Sequence, residues 1–198
     1  MNRYRHVVGA LVLTTLFAGS AYATEIGAQV KDFQLPDLDG KVHQLYKMSD
    51  KNAIVLMTQG NGCPIVRLAV PGLRKIRDQY QARGVEFFLI NPNPQDTAQS
   101  IAEEAKEFRF GLPILMDSTQ KVSEELGVER TAEIFVIDPK TWKLVFHGPL
   151  DDRLNYESQR RVQHHYLTDA LDSVLTGKPV AVAHVMSPGC LINFPNRR

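Results

Sequence analysis

The spacing of apolar positions changes several times along the chain, and each change marks an element. Short alternating runs at residues 30–35 and 41–45 flank Asp39-Gly40, which predicts a β-hairpin. Residues 53–58, Ala-Ile-Val-Leu-Met-Thr, form an unbroken apolar run stopped by Gln-Gly-Asn-Gly, the reading of a strand buried on both faces. Val66, Ala69, Val70, Leu73, Ile76 and Tyr80 then recur at helical spacing and stop at Arg83-Gly84, so a helix of about four turns is expected. Pro71 falls inside it and should kink it, because proline removes a backbone donor and crowds the preceding turn. Residues 85–90 read as a second buried strand, and strand, helix, strand implies a parallel pair with a right-handed crossover.

Further on come an amphipathic segment at 98–108, a strand at 113–116 and a short helix at 120–126 closed by Gly127. Runs at 133–138 and 143–147 flank Pro139-Lys140-Thr141 and predict an antiparallel hairpin that extends the sheet. Val162, Tyr166, Leu167, Ala170, Leu171, Val174 and Leu175 mark a terminal helix that stops at Gly177 and is expected to cover the second sheet face. Residues 180–198, with Ser-Pro-Gly-Cys and Phe-Pro, are too broken for a helix but apolar enough to pack. The expected organisation is one domain over residues 24–179 followed by a tail over 180–198, without internal repeats or low-complexity segments.

Composition narrows the class. The chain has 198 residues, 43% of them hydrophobic, with 23 Lys+Arg against 22 Asp+Glu and only 2 Cys. That length buries a full single core and excludes a disordered tail or a disulfide-dense scaffold. A formal net charge of +1 supplies no basic field, so no nucleic-acid partner is expected. Residues 1–23 carry a basic start, a short apolar run and Ala21-Tyr22-Ala23, the pattern of an export signal cleaved after Ala23. That run is shorter than the ~20 residues of a transmembrane helix, and no later stretch reaches such a length without a charge. A periplasmic or secreted protein without a transmembrane segment is expected. Cleavage removes Arg3 and Arg5 and no acid, which leaves a net charge of −1.

Both Cys63 and Cys190 lie in the exported part, where an oxidising compartment keeps thiols paired unless something reduces them. A permanent bond between them would add about 4 kcal/mol by closing a long loop. Cys63 also sits directly after the first buried strand, where a helix begins. Backbone N–H groups and the helix dipole favour a thiolate there, below the usual ~8.5. Pro64 suits the first helical position, where no intrahelical donor is needed.

The element order, Asn61-Gly62-Cys63-Pro64 after that strand, the strand-turn-strand 134–147 followed by Gly148, and Gly189-Cys190-Leu191-Ile192 near the end resemble the thioredoxin-like superfamily. Within it the chain is most similar to exported redoxins of the alkyl-hydroperoxide-reductase/thiol-specific-antioxidant (AhpC/TSA) type. The resemblance implies an α/β fold with a central mixed sheet flanked by helices, an N-terminal β-hairpin and a cysteine-bearing C-terminal tail. It implies a thiol-disulfide oxidoreductase or thiol-dependent antioxidant without a cofactor. Cys63 would be its nucleophile, and Cys190 its resolving cysteine carried over by a flexible tail. The partner would be a protein or small-molecule thiol or disulfide, and homo-oligomers are common in the fold family.

The chain departs from the family pattern at three places. Val66 stands where Cys-x-x-Cys puts a second thiol, Gly60 where peroxide-reducing relatives carry Thr or Ser, and Ala132 where a cis proline follows Thr131. A cis bond costs ~2.5–4 kcal/mol before alanine against ~0.5–1 before proline, so a trans Thr131–Ala132 bond is expected. Pro64, Thr131, Ala132 and Glu133 would line the implied substrate groove. Arg67 is read either as a guanidinium facing the thiolate or as an ion-paired helix residue. Asn61 is either a donor to an incoming atom or a turn residue. Glu133 is either a proton relay or a solvated strand-edge glutamate, and Trp142 caps the core edge. His184, Met186 and Cys190 offer soft ligands for copper as an alternative. The competing class is a non-enzymatic accessory or binding protein with a structural Cys63–Cys190 disulfide.

Overall fold

The computed structural model describes residues 24–154 and 161–195; the expected export signal at 1–23 lies outside the described residues. The first alternating runs become β1 (Gln34–Pro36) and β2 (Val42–Gln44), an antiparallel pair that forms its own two-stranded sheet. They are shorter than the alternation predicts because Asp37 Oδ1 takes the N–H groups of Asp39 and Lys41, at 3.0 and 2.9 Å, and so extends the turn. The main sheet is built on β3 (Ala53–Thr58), buried at every position. Parallel to it runs β4 (Val85–Asn91), and β5 (Ile114–Met116) pairs parallel with β4. On the other side β6 (Ile134–Asp138) pairs antiparallel with β3, and β7 (Lys143–Gly148) antiparallel with β6. The resulting order, β5-β4-β3-β6-β7, makes β3 the centre and explains its unbroken apolar run.

Because side chains alternate along a strand, β3 sends Val55 and Met57 to one core and Ile54 and Leu56 to another. The first core is closed by α1 (Pro64–Tyr80) through Val66, Val70 and Leu73, by α2 (Ala98–Glu107) through Ile101, and by α4 (Tyr166–Leu175) through Leu167 and Leu171. The second is closed by Leu35 and Leu45, by Leu126 of α3 (Lys121–Leu126), and by Ile192 and Phe194 of the tail. The terminal helix therefore does not cover the second face. Its apolar stripe joins the same core as α1, and the N-terminal hairpin and the tail take the face it was expected to fill.

One further expectation shifts. α4 starts at Tyr166 rather than Val162, because Asp152 Oδ1 accepts the N–H groups of Gln163 and His164, at 2.9 and 3.1 Å, and holds them outside the helix. α1 runs from Pro64 to Tyr80 as one helix with Pro71 inside it. Buried Val66, Val70 and Leu73 pin both sides of the proline to the sheet, which favours continuity over a break. Trp142 stacks on Tyr46, with ring centres 4.3 Å apart, at the rim of the second core. No helix among the described residues is long and apolar enough to cross a membrane.

Candidate thiol site

Where β3 ends, its chain must turn into α1, and a polar network fixes that turn. Gln59 and Asn91 are buried at the ends of neighbouring parallel strands, and Asn91 Nδ2 donates to Gln59 Oε1 at 2.6 Å. Gln59 Nε2 donates to Asn61 Oδ1 at 3.0 Å, while Asp96 Oδ2 accepts the Asn61 N–H at 3.0 Å and Asn91 Nδ2 at 2.9 Å. Gly62 adopts φ 78°, which favours glycine. Its N–H reaches Glu104 Oε2 of α2 at 2.8 Å, and Arg67 Nε reaches the other carboxylate oxygen at 3.0 Å. Two loops and one helix thereby fix the backbone at Cys63, the N-cap of α1, with Pro64 at the first helical position.

The Cys63 thiol is 3% exposed and has two side-chain partners. Thr131 Oγ1 lies 3.0 Å from its sulfur, and Cys190 Sγ also lies 3.0 Å away. Thr131 Oγ1 accepts the Cys190 N–H at 2.9 Å, which leaves its own proton for Cys63. Burial pushes the Cys63 thiol up. Hydrogen bonds from Cys190, Thr131 and the backbone N–H groups of Val66 and Cys190 outweigh burial and bring its pKa below the ordinary value. The pair is thus a buried sulfur whose surroundings favour the thiolate, with a second sulfur in contact.

The tail that brings Cys190 here is docked rather than loose. Thr131 N–H donates to the Cys190 carbonyl at 2.9 Å, Ile192 N–H to the Glu129 carbonyl at 2.9 Å, and Arg130 Nη1 to the Gly189 carbonyl at 3.1 Å. Arg130 and Leu191 form an antiparallel bridge. Past this point the chain crosses to the second core, where Ile192 and Phe194 are buried and Gln120 Nε2 holds the Asn193 carbonyl at 2.8 Å.

The loop opposite Cys63 contains a trans Thr131–Ala132 bond, no cis peptide occurring among the described residues. Ala132 takes φ 57° and donates its N–H to the Thr58 carbonyl at 2.8 Å. Glu133 is only 4% exposed, so it is not a solvated strand-edge residue. Strand alternation explains where it goes, since Ile134 belongs to the core of Cys63 and Phe135 to the other. The Glu133 carboxylate accepts the Glu129 N–H at 2.9 Å and lies 3.6 Å from His147 Nε2, bracing the loop from behind.

Arg67 is ion-paired with Glu104, and its guanidinium stacks 4.0 Å from the Phe108 ring. Its hydrogen bonds go to that carboxylate rather than to sulfur. The Asn61 amide is engaged with Gln59 and with Ser100 Oγ, so it acts inside the loop. Among the described residues no group of His, Cys, Asp and Glu side chains gathers as a metal site. Of the three soft ligands read as a copper alternative, Met186 is 76% exposed and the Cys190 sulfur faces Cys63. Glu104 escaped the sequence reading, although a charged residue three positions after Ile101 on the apolar stripe of α2 was a visible signal.

Residues 26–143 match the AhpC/TSA family. The chain is 29% identical over 151 residues to a thiol-disulfide oxidoreductase ResA of Geobacillus thermodenitrificans, covering 69% of this chain and 83% of that protein. The crystal structure of a hypothetical protein from Sinorhizobium meliloti 1021 superposes with a TM-score of 0.78 at 31% identity, over 88% of this chain and 97% of that one. Peroxidoxin BcpB of Mycobacterium tuberculosis shares the fold, with a TM-score of 0.58 at 21% identity, over 78% of this chain and 97% of that one.

Proposed function

Given that the chain belongs to the AhpC/TSA family, we propose that it is a thiol-disulfide oxidoreductase whose working pair is Cys63 and Cys190, acting in the periplasm after removal of residues 1–23. The observation that carries the reading is the direct contact of the two sulfurs at 3.0 Å, with Thr131 beside them. The similarity to a thiol-disulfide oxidoreductase ResA points the same way. In the forward step the Cys63 thiolate attacks a partner disulfide, forming a mixed disulfide and releasing one partner thiolate. Cys190, losing its proton to that thiolate, then displaces the second partner sulfur. Two electrons pass to the partner, and the Cys63–Cys190 disulfide remains. Main-chain groups around Thr131 suit a polypeptide partner better than a small thiol.

The decisive experiment equilibrates the protein in thiol-disulfide redox buffers and counts free thiols by mass. A two-electron couple above about −300 mV is expected, and a lower value would assign the pair to a structural bond instead.

A further inference from the structure

Cys63 is nearly inaccessible although its neighbours Gly62 and Pro64 are exposed. Its cover is the tail. Upstream, the tail is tied to β7, where His147 N–H donates to the Ala183 carbonyl at 2.9 Å and Val185 N–H to the His147 carbonyl at 3.0 Å. Downstream it is anchored by Ile192 and Phe194, at 8% and 7% exposure on the far side of the sheet. Between the anchors it runs against the 129–131 loop so closely that a Cβ on Gly189 would lie 1.6 Å from the Thr131 carbonyl oxygen. The outer side of this stretch carries Met186 and Leu191, 76% and 73% exposed.

We propose that residues 186–191 form an autoinhibitory strap, occupying the main-chain groups of the 129–131 loop, so that Cys63 meets an external partner only after the strap lifts. The inference rests on Cys63 being the attacking sulfur, and it adds a control on that attack. The strap occupies main-chain and guanidinium groups beside Cys63 that are able to bond an extended incoming chain. Thr131 N–H is already taken by Cys190 and Arg130 by Gly189, and the adjoining anchor residue Ile192 takes the Glu129 carbonyl. A partner therefore competes with the protein's own tail, and its apparent affinity falls with the fraction of molecules whose strap is open. Lifting the strap also separates Cys190 from Cys63. Return of the strap then delivers the second thiol to the mixed disulfide, so one movement both admits the partner and releases it.

The test is the alkylation of each cysteine in the reduced full chain, followed by mass spectrometry with iodoacetamide as probe. Gly189→Ala disturbs the strap and keeps both cysteines, and rates are compared well above the ordinary thiol value of about 8.5, where loss of the Cys190 hydrogen bonds no longer changes the thiolate fraction. Cys63 should react at least about tenfold faster in this variant than in wild type, in proportion to the open fraction. Equal rates, with circular dichroism unchanged, would overturn the strap. Should Gly189→Ala fail to fold, Phe194→Ala loosens the downstream anchor and is read in the same way. The redox reading fails separately, if oxidised wild type forms no Cys63–Cys190 disulfide whatever the alkylation rates.

Discussion

Thr131→Val is the sharpest probe of the site, because it exchanges a hydroxyl for a methyl of similar shape at a position that is 3% exposed. The hydroxyl holds the Cys190 N–H at 2.9 Å and stands 3.0 Å from the Cys63 sulfur. A hydrogen bond to a charged acceptor is worth about 1.5–3 kcal/mol. Lost from the thiolate and not from the thiol, that energy raises the Cys63 pKa by about one to two, at 1.36 kcal/mol for each tenfold change. The Cys190 N–H loses its Thr131 acceptor and keeps the Cys63 sulfur, so stability should fall by about 0.5–1.5 kcal/mol. Ultraviolet thiolate absorbance followed against pH, in the reduced wild type and variant, reads the first effect, and urea unfolding the second. Thr131→Ser, which keeps the hydroxyl, should stay close to wild type. A Cys63 titration unchanged by Thr131→Val would refute the assignment of that hydroxyl as a donor to sulfur.

Restoring the family's proline by Ala132→Pro should destabilise the protein by more than about 2 kcal/mol, because φ 57° lies outside the range of proline and the bond to Thr58 is lost; thermal melting checks this. Glu104→Ala leaves Gly62 N–H and the partly exposed Arg67 without their carboxylate and should cost about 1–3 kcal/mol in urea unfolding, with Glu104→Gln recovering part of it. The depressed Cys63 pKa makes the reduced fold pH-sensitive. Its stabilising contribution is complete above the unfolded value of about 8.5 and is lost as pH falls through the lower folded value. The stability difference between wild type and Cys63→Ser should therefore grow with pH through that window, and a flat difference would contradict the sign.

What the sequence made legible was the part fixed by local pattern. The unbroken apolar run of β3, the Gly-Cys-Pro at its exit and the helical stripe of α1 are enough to put Cys63 at an N-cap. Period alone cannot say which face of a sheet a helix covers, so α4 was assigned to the wrong side. That choice depends on what else fills each core, and Ile192 and Phe194 are too isolated in sequence to announce themselves as filling. Glu133 was misjudged for a related reason. Alternation places it opposite Ile134, but a carboxylate is buried there only because Glu129 N–H and His147 supply partners from other parts of the chain. The tail's docking likewise rests on main-chain bonds to 129–131, and main-chain bonds leave no signature in side-chain pattern except Gly189, whose lack of a Cβ permits the close approach.

Ala132 shows why a departure from a family pattern need not dismantle the site beneath it. Proline at that position would fix the loop through its own ring, and it would have no N–H to offer. Alanine in the left-handed region turns the chain instead, and its N–H is tied to the Thr58 carbonyl at the end of β3. Thr58 completes the clamp, since its Oγ1 accepts the Glu133 N–H at 2.9 Å and donates to the Arg130 carbonyl at 2.7 Å, while its N–H donates to the Glu133 carbonyl at 2.9 Å. The strand that aims Cys63 thus also holds the loop that carries Thr131. Because both groups hang from the same end of β3, their separation is set by one rigid element, and the left-handed turn lets Thr131 face the sulfur while Glu133 faces away. The strain of a non-glycine residue at positive φ, of order 1–3 kcal/mol, is offset by these main-chain bonds. Position 132 therefore bears on how the 130–133 loop is shaped, and in the proposed function the thiol chemistry rests on Thr131, Cys63 and Cys190.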